Sequence, residues 1–463
     1  MKRTSVIFLL FLATVAMVAG AGRLEIAGPD TVDVGAFEPG ECPVAVFRLK
    51  NAGRAPLRFT HVVTTCRCLE LEDVPECLAP GQSGRLSARV RPGFADDSFS
   101  STVLIETDSQ ETPYAHVTVK RAMPWNRASL YRTPAILSPS PTNGVRTFFL
   151  EEKSVSGKRI RIPAFLGVPK RGGNTAALPG IVLACEGSVD NACRRVRFWN
   201  AHGFAALAVD IACDGECRRA SAPWPYHAVA AVVRAHSFLR GYPGIDTDRI
   251  GLTGIARGGY VVCLAAAVDE RFAFAIPIDA GPFLGDGAGN GEPGGCKDKT
   301  WNAADYLRLV RAPFLWMDTT ASPLTILQDH YRKAKTPQTL CIRSRDTSAA
   351  PWQPGEEREE PPAFALHMAR DGNSGLPVFG TVLRRGRRIA ATFEAKGNRV
   401  VKAALVAAGG ADGGGKLRWR AYPAELRENH VEATLPEGTS AYYVNLSTEE
   451  GLVVSSGHET CTL

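Results

Sequence analysis

Past residue 18 no stretch of this chain approaches the roughly 20 consecutive apolar residues that span a bilayer, so a transmembrane helix in the body of the protein is not expected. The two glycine-rich runs, Gly285 to Gly295 and Gly409 to Gly415, lack the phosphate-loop pattern and read as connections. Aromatics do not interleave with the basic residues on any one face, which argues against nucleic acid as a partner. The pair Cys66 and Cys68 has no second pair at metal-ligand spacing and no histidines beside it, so a four-ligand zinc site does not fit, and neither a metal nor a cofactor is expected. The pentad Gly-x-Ser-x-Gly is also missing, which removes a serine nucleophile from any strand-to-helix turn of that kind.

What is present begins with Lys2 and Arg3, an apolar run from Val6 to Val18, and the small residues Ala19, Gly20 and Ala21. This is the pattern of a signal peptide over residues 1–21, and it predicts a secreted or periplasmic protein. No cysteine follows the run, which disfavours a lipid anchor. In an exported chain the twelve cysteines become disulfide candidates, with Cys213 and Cys217 placed to close a small ring. Cys263, among Val and Ala on a helical pattern, reads as a buried free thiol. The formal charge of +7 is dispersed except at Arg384, Arg385, Arg387 and Arg388, which surround Gly386. They mark a hairpin tip, with a polyanion such as an acidic glycan as the functional alternative.

A length of 463 residues implies about two to four domains. Residues 24–122 carry short alternating β segments separated by turns such as Asn51-Ala52-Gly53 and Pro80-Gly81, and they predict a β-sandwich. Here the run Phe47 to Gly53, then Pro56-Leu57, Thr65-Cys66-Arg67-Cys68 and Leu78 to Gly81, resembles short bacterial Ig-like domains of the Hydin type. The resemblance implies a spacer or binding module without activity of its own. In such domains a glycine usually separates the paired cysteines, and Arg67 stands there in this chain. Residues 123–142, rich in proline, read as a linker.

Over residues 143–375 strands alternate with helices, the pattern of a mostly parallel sheet with helices on both faces. Residues 376–463 return to alternating strands and predict a second β-sandwich. Ile250 to Gly254 is a strand, Gly259 to Val268 a helix, and Thr253-Gly254-Ile255-Ala256-Arg257-Gly258 joins them. Gly254 and Gly258 sit two residues before and after Ala256, where so sharp a turn tolerates no larger side chain. With Trp224 to Val229, Gly244 to Gly254, Phe198 to Phe204 and Tyr442 to Leu446, this turn resembles secreted bacterial α/β-hydrolases of the acetyl xylan esterase-like and dipeptidyl/acylaminoacyl-peptidase-like kinds. The expected architecture is therefore an α/β-hydrolase fold flanked by N- and C-terminal β-sandwich domains.

The resemblance also defines four positions where chemistry should reside, and the chain departs from the pattern at each. Ala256 stands at the nucleophile. Asp318, a possible vestigial acid, is the only carboxylate in a shortened loop after the strand Pro313 to Met317. No histidine follows Gln338 to Ile342, where Arg343 to Pro351 runs instead. The loop that should offer backbone amides to an oxyanion reads Cys185-Glu186-Gly187-Ser188, and a carboxylate there would repel that charge.

His227 and His236 read as packing or capping groups and His330 as a surface group; His458 lies too far along to place. Ser188, Cys185 and Cys263 are conceivable substitute nucleophiles, but none lies at an elbow. The expected function is a catalytically degenerate hydrolase that binds or scaffolds at the cell envelope. Glu186 and Arg257 would border its ligand cleft, with Arg257 read as outward and solvated and its pairing to a ligand carboxylate as the alternative. A carbohydrate or small carboxylate is the candidate ligand, and an envelope protein a candidate partner of the sandwiches. The rival function is an active carboxylic-ester hydrolase, or a peptidase, with relocated catalytic groups.

Overall fold

A computed structural model describes residues 21–34, 42–91, 99–121, 125, 127–142, 144–153, 159–170, 176–212, 224–281, 284, 301–319, 324–343, 358–411 and 417–461. The expected leader up to residue 20, the Cys213–Cys217 ring and the Gly285 to Gly295 run lie outside these residues. The chain divides into two compact units, residues 1–124 and 125–463.

In the first unit the described strands form one four-stranded and one five-stranded sheet. Phe47, Leu49, Leu86 and Ala88 from the former share a buried cluster with Leu57, Val103, Ile105 and Val117 from the latter. Period-two alternation puts these side chains on one face of each strand. Asn51 explains the Asn-Ala-Gly turn. Fully buried, it donates from Nδ2 to the carbonyls of Ala55 (2.8 Å) and Leu78 (2.9 Å), and its Oδ1 accepts from the amides of Gly53 (3.0 Å) and Arg23 (3.2 Å). Cys66 and Cys68 are joined as a disulfide, with Cα atoms 5.4 Å apart.

The second unit is organised by one 14-stranded sheet. Its hydrolase-like part comprises β1 (Val145–Lys153), β2 (Arg159–Gly167), β3 (Leu178–Cys185), α1 (Val189–Ala201), β4 (Ala205–Asp210), α2 (Trp224–Arg240), β5 (Ile245–Ile255), α3 (Arg257–Val268), β6 (Phe274–Ile278), β7 (Phe314–Thr319), α4 (Leu324–Tyr331), β8 (Gln338–Arg343) and α5 (Glu360–Asp371). The spatial order is β1-β2-β4-β3-β5-β6-β7-β8, with β2 antiparallel to its neighbours and every pairing from β4 to β8 parallel. Ile181, Val182, Leu183 and Ala184 of β3 are all buried, as a central strand covered on both faces requires. Every residue of α3 from Gly258 to Val268 is likewise buried, which is why its pattern is apolar all round.

Two segments differ from expectation. Residues 123–142, read as a linker, hold a short helix (Arg127–Leu130) and an edge strand (Ile136–Thr142) beside β1. An edge tolerates the prolines that suggested a linker, because their missing N–H costs no ladder bond on the open side. Trp125 is buried, stacks on Tyr226 and donates from its indole to the Tyr226 carbonyl (2.9 Å).

The C-terminal strands, expected as a separate sandwich, continue the long sheet. They are β9 (Val378–Arg385), β10 (Arg388–Glu394), β11 (Val400–Ala411), β12 (Leu417–Pro423), β13 (Glu425–Arg427), β14 (His430–Thr434), β15 (Thr439–Thr448) and β16 (Val453–Ser455). β16 pairs with β8, and the sheet then runs β16-β15-β11-β12. Side chains reinforce this single-residue junction. Ser455 Oγ accepts from the Ile342 amide (2.7 Å), while Asn445 Nδ2 donates to the Ile342 carbonyl (3.1 Å). A second sheet, β9-β10-β14-β13, shares a core with β11 and β15 through Ile389, Phe393, Leu405, Val431, Val444 and Leu446.

Candidate functional site

The elbow is built as its glycines dictate. Ala256 caps α3 at φ 56°, ψ −115°, a left-handed conformation that is uncommon for any residue with a Cβ. Its amide donates to the Ile278 carbonyl (2.8 Å) and its carbonyl accepts from the Tyr260 amide (3.1 Å), so β6 and the first turn of α3 hold it there. A Cβ on Gly254 would overlap the carbonyl oxygen of Gly258, and one on Gly258 would come within 2.5 Å of the Ala184 carbonyl oxygen. The backbone of a nucleophile elbow is thus complete, and at its apex stands a methyl group.

Arg257 does not point freely into solvent. Its Nη1 lies 3.1 Å from Glu186 Oε1, each side chain is 28% exposed, and its guanidinium sits 4.3 Å from the centre of the Trp224 ring. That ring stacks on Tyr260, and its indole donates to the Ile211 carbonyl (2.6 Å). The residue after the nucleophile position and the loop after β3 are the two segments that supply oxyanion amides in this fold. Here they are joined by an ion pair. In the sequence Trp224 carries the family resemblance; its role as a platform for Arg257 has no local signature beyond an Arg and a Trp 33 residues apart on helix-starting turns.

Asp318 is buried at the end of β7 and accepts from the Gly281 amide (3.3 Å). Among the described histidines, one is paired with a buried carboxylate. His236 Nδ1 bonds Asp269 Oδ2 at 2.8 Å with both side chains fully buried, which resembles a catalytic dyad. Asp269, however, follows the last residue of α3 while Ala256 precedes its first, and 12 residues at about 1.5 Å each separate them by roughly 18 Å. The pair is structural. Arg271 binds Asp269 Oδ2 (2.7 Å) and Ser237 Oγ (2.9 Å) and lies over the Tyr131 ring. Burial pushes the Asp269 carboxyl up, but the hydrogen bonds from Arg271 and His236 outweigh it and hold the group well below the usual range. Burial lowers the His236 pKa, although the hydrogen bond to Asp269 acts against it. His236 is buried, as a packing or capping group would be, but its acidic partner lies 33 residues on and has no signature in the sequence around it.

His330, expected at the surface, is buried, and its Nδ1 donates to the Ile326 carbonyl one turn back (2.7 Å). Its neighbours in sequence are polar, but α4 turns it inward together with Leu327, Gln328 and Tyr331. His458 is buried against Tyr331, neither ring nitrogen has a hydrogen-bond partner among the described residues, and burial lowers its pKa to about 4. His227 is buried too and lowered to about 4 by the same desolvation.

The substitute nucleophiles have other roles. Ser188 caps α1 by accepting from the Asn191 amide (3.2 Å), Cys185 Sγ accepts from buried Arg195 (3.3 Å), and Cys263 is a buried, unbridged thiol whose pKa burial raises. No group of three or more metal-ligating side chains comes together among the described residues.

The strand order, the antiparallel β2 and the elbow between β5 and α3 define the second unit as an α/β-hydrolase fold. Comparison with known proteins gives the following similarities. Residues 26–120 match the family model described as a protein of unknown function, DUF1573. No curated protein matches the chain. Among solved structures the chain is similar to an acetyl xylan esterase from Paenibacillus sp. R4, with 16% identity over 47% of this chain and 85% of that one and a TM-score of 0.35. It is similar to Est1E from Butyrivibrio proteoclasticus, with 17% identity over 40% and 86% and a TM-score of 0.32. A third is acetyl xylan esterase 1 from Thermoanaerobacterium sp. JW/SL YS485, with 13% identity over 52% and 92% and a TM-score of 0.36.

Proposed function

We propose that this protein is an α/β-hydrolase that has lost its hydrolytic centre and acts as a binding or scaffolding protein of the cell envelope. The observation that carries the reading is Ala256, held in the strained conformation of a nucleophile with no hydroxyl to use it. Loss of a triad serine costs about six orders of magnitude in turnover, leaving roughly 10³ to 10⁴ over water from oxyanion stabilisation and binding. The Arg257–Glu186 pair works against even that remainder, because it sets a carboxylate where an oxyanion would need donors. The same pair suits a binding role. A carboxylate on a small acid or a sugar can take the place of Glu186 on Arg257, whose stacking on Trp224 fixes the guanidinium plane. Export is proposed from Lys2, Arg3 and the Val6 to Val18 run, and partner contacts are assigned to the β-sheet regions at either end.

The test is a fluorophosphonate probe for activated serines together with p-nitrophenyl acetate and acetylated xylan as substrates. No labelling and no turnover above an unrelated control protein are expected. Labelling, or hydrolysis above that control, would overturn the proposal and establish a hydrolase with relocated catalytic groups.

A further inference from the structure

The arginines at the predicted hairpin tip acquire company in the folded chain. β9 and β10 meet there, with Arg385 opposite Arg388 and Gly386 at φ 61°. Arg387 crosses to the turn between β14 and β15, donating to the Leu435 carbonyl (2.8 Å) and pairing with Glu437 (3.1 Å). Glu437 and Gly438 form one wall of a cavity of about 390 Å³ whose other wall is β12, through Arg418, Arg420 and Tyr422. Ala407, opposite Arg420 in the β11–β12 register, and Gly409 also line it, and both are small. A Cβ on Gly409 would stand 2.9 Å from the Gly438 carbonyl oxygen, so glycine is also what lets the turn close over this end.

Arg418 and Arg420 are exposed and, unlike Arg387 and Arg388, pair with no carboxylate among the described residues. Two residues apart on one strand, they project from the same face with Cα atoms about 6.6 Å apart. Half-buried Tyr422 continues that face. Guanidinium forks bind carboxylates in bidentate fashion, and an aromatic wall suits the apolar face of a sugar ring. The volume lies at the lower end of the roughly 300–1,000 Å³ of small-molecule sites. It admits a saccharide unit, whereas a duplex or a bilayer would present a convex or flat surface to a concave one. We propose that this groove binds an acidic glycan, a saccharide bearing carboxylates or sulfates that engage Arg418 and Arg420. The site is separate from the Ala256 cleft, so it stands or falls independently of the loss of hydrolysis.

Isothermal titration of the full chain with oligogalacturonate, a sulfated oligosaccharide, a neutral galacto-oligosaccharide, a short DNA duplex and anionic phospholipid vesicles tests it. An acidic saccharide, carboxylated or sulfated, should bind and the neutral one should not. The double variant R418Q/R420Q should lose about 100-fold in affinity, as two charge-assisted contacts would imply. The control R308Q/K335Q, which removes the same charge elsewhere, should bind like the parent. Both altered pairs are exposed, and unchanged circular dichroism confirms folding. Charged side chains on an edge strand also discourage edge-to-edge pairing. If that is all Arg418 and Arg420 do, no acidic saccharide binds and the proposal fails. It fails equally if the control pair loses as much affinity, or if DNA or vesicles bind as tightly with the same dependence on the two arginines.

Discussion

Lowering the pH from 7 to 5 should destabilise the second unit far more than the first, through histidines that the fold keeps neutral. His227 and His458 are 3% and 1% exposed, and burial lowers each from 6.5 to about 4. The sign follows from linkage. Between pH 6.5 and 4 the unfolded chain takes up a proton at each position while the folded chain does not, so stability is complete above about 6.5 and is lost as pH falls toward 4. At about 1.4 kcal/mol per pH unit, pH 5 removes roughly 2 kcal/mol per histidine, about 4 kcal/mol for the two. His236 and His330 shift in the same direction and add to the loss. Carboxylates such as Asp269 do not contribute in this window, because unfolded carboxyls titrate only near 4 and below. Urea unfolding followed by tryptophan fluorescence reads the second unit alone, since all seven tryptophans lie at residue 125 or beyond. The variant His458→Phe keeps an aromatic ring beside Tyr331 and removes no hydrogen bond made by the imidazole. It should reduce the slope of stability between pH 6.5 and 5 by about 1.4 kcal/mol per pH unit. A flat profile in the parent, or an unchanged slope in His458→Phe, would refute the reasoning.

Gly254→Ala should destabilise the second unit by about 3 kcal/mol or leave it insoluble, because the new methyl meets the Gly258 backbone and not a side chain that can move aside; urea midpoints measure this. Asn51→Ala should cost the first unit about 3 kcal/mol by leaving buried backbone groups of Ala55, Leu78, Gly53 and Arg23 without their partner. Hydrogen exchange of peptides within residues 42–121 would report it, with those beyond 125 unchanged. Ala256→Ser should label with no serine probe and hydrolyse no acetyl ester, since the hydroxyl alone brings neither a base nor oxyanion donors; a burst of acyl-enzyme would contradict this. Asp269→Asn should destabilise by about 3 kcal/mol or more while leaving ligand affinity at the Ala256 cleft unchanged, which a melting curve and a titration separate.

The elbow was legible because steric exclusion writes itself into residue type: only glycine fits at 254 and 258, where backbone carbonyls lie in the place of a Cβ. The strands of the parallel sheet were legible for a similar reason, their burial on both faces leaving continuous apolar runs such as Ile181 to Ala184. What escaped the sequence depends on which distant surfaces meet. Arg257 is polar and could have faced water; only the approach of the β3 loop and Trp224 decides that it does not. His330 sits between Asp329 and Tyr331 in a polar stretch, and its inward direction is set by the helix phase and by what α4 covers. The continuation of the sheet through Ser455 and Asn445 has no local signature, since a strand that ends a parallel sheet and one that extends it read alike. Arg418-Trp419-Arg420 does carry a signal, a period-two alternation with Trp419 packed at a tilt against Tyr443 behind the sheet and the arginines in front, but its partner turn lies elsewhere in the chain.

On the proposed reading, Ala256 also shows why losing a reaction need not relax the fold that served it. A strained backbone of this kind costs about 1 to 3 kcal/mol, and glycine would remove most of that cost in the folded state. The elbow nevertheless keeps its dihedrals, because they are imposed from outside: the amide of Ala256 is claimed by Ile278 on β6, its carbonyl by Tyr260 on α3, and Gly254 and Gly258 hold the two arms in backbone contact. Any residue placed at 256 inherits the conformation. The hydroxyl could therefore be lost without disturbing packing, whereas the glycines could not, and the motif persists where sterics enforce it and departs where only chemistry did. The Arg257–Glu186 pair follows the same division. It adds contacts between α3 and the β3 loop, so on the proposed reading a return to hydrolysis would require removing an interaction as well as restoring a nucleophile.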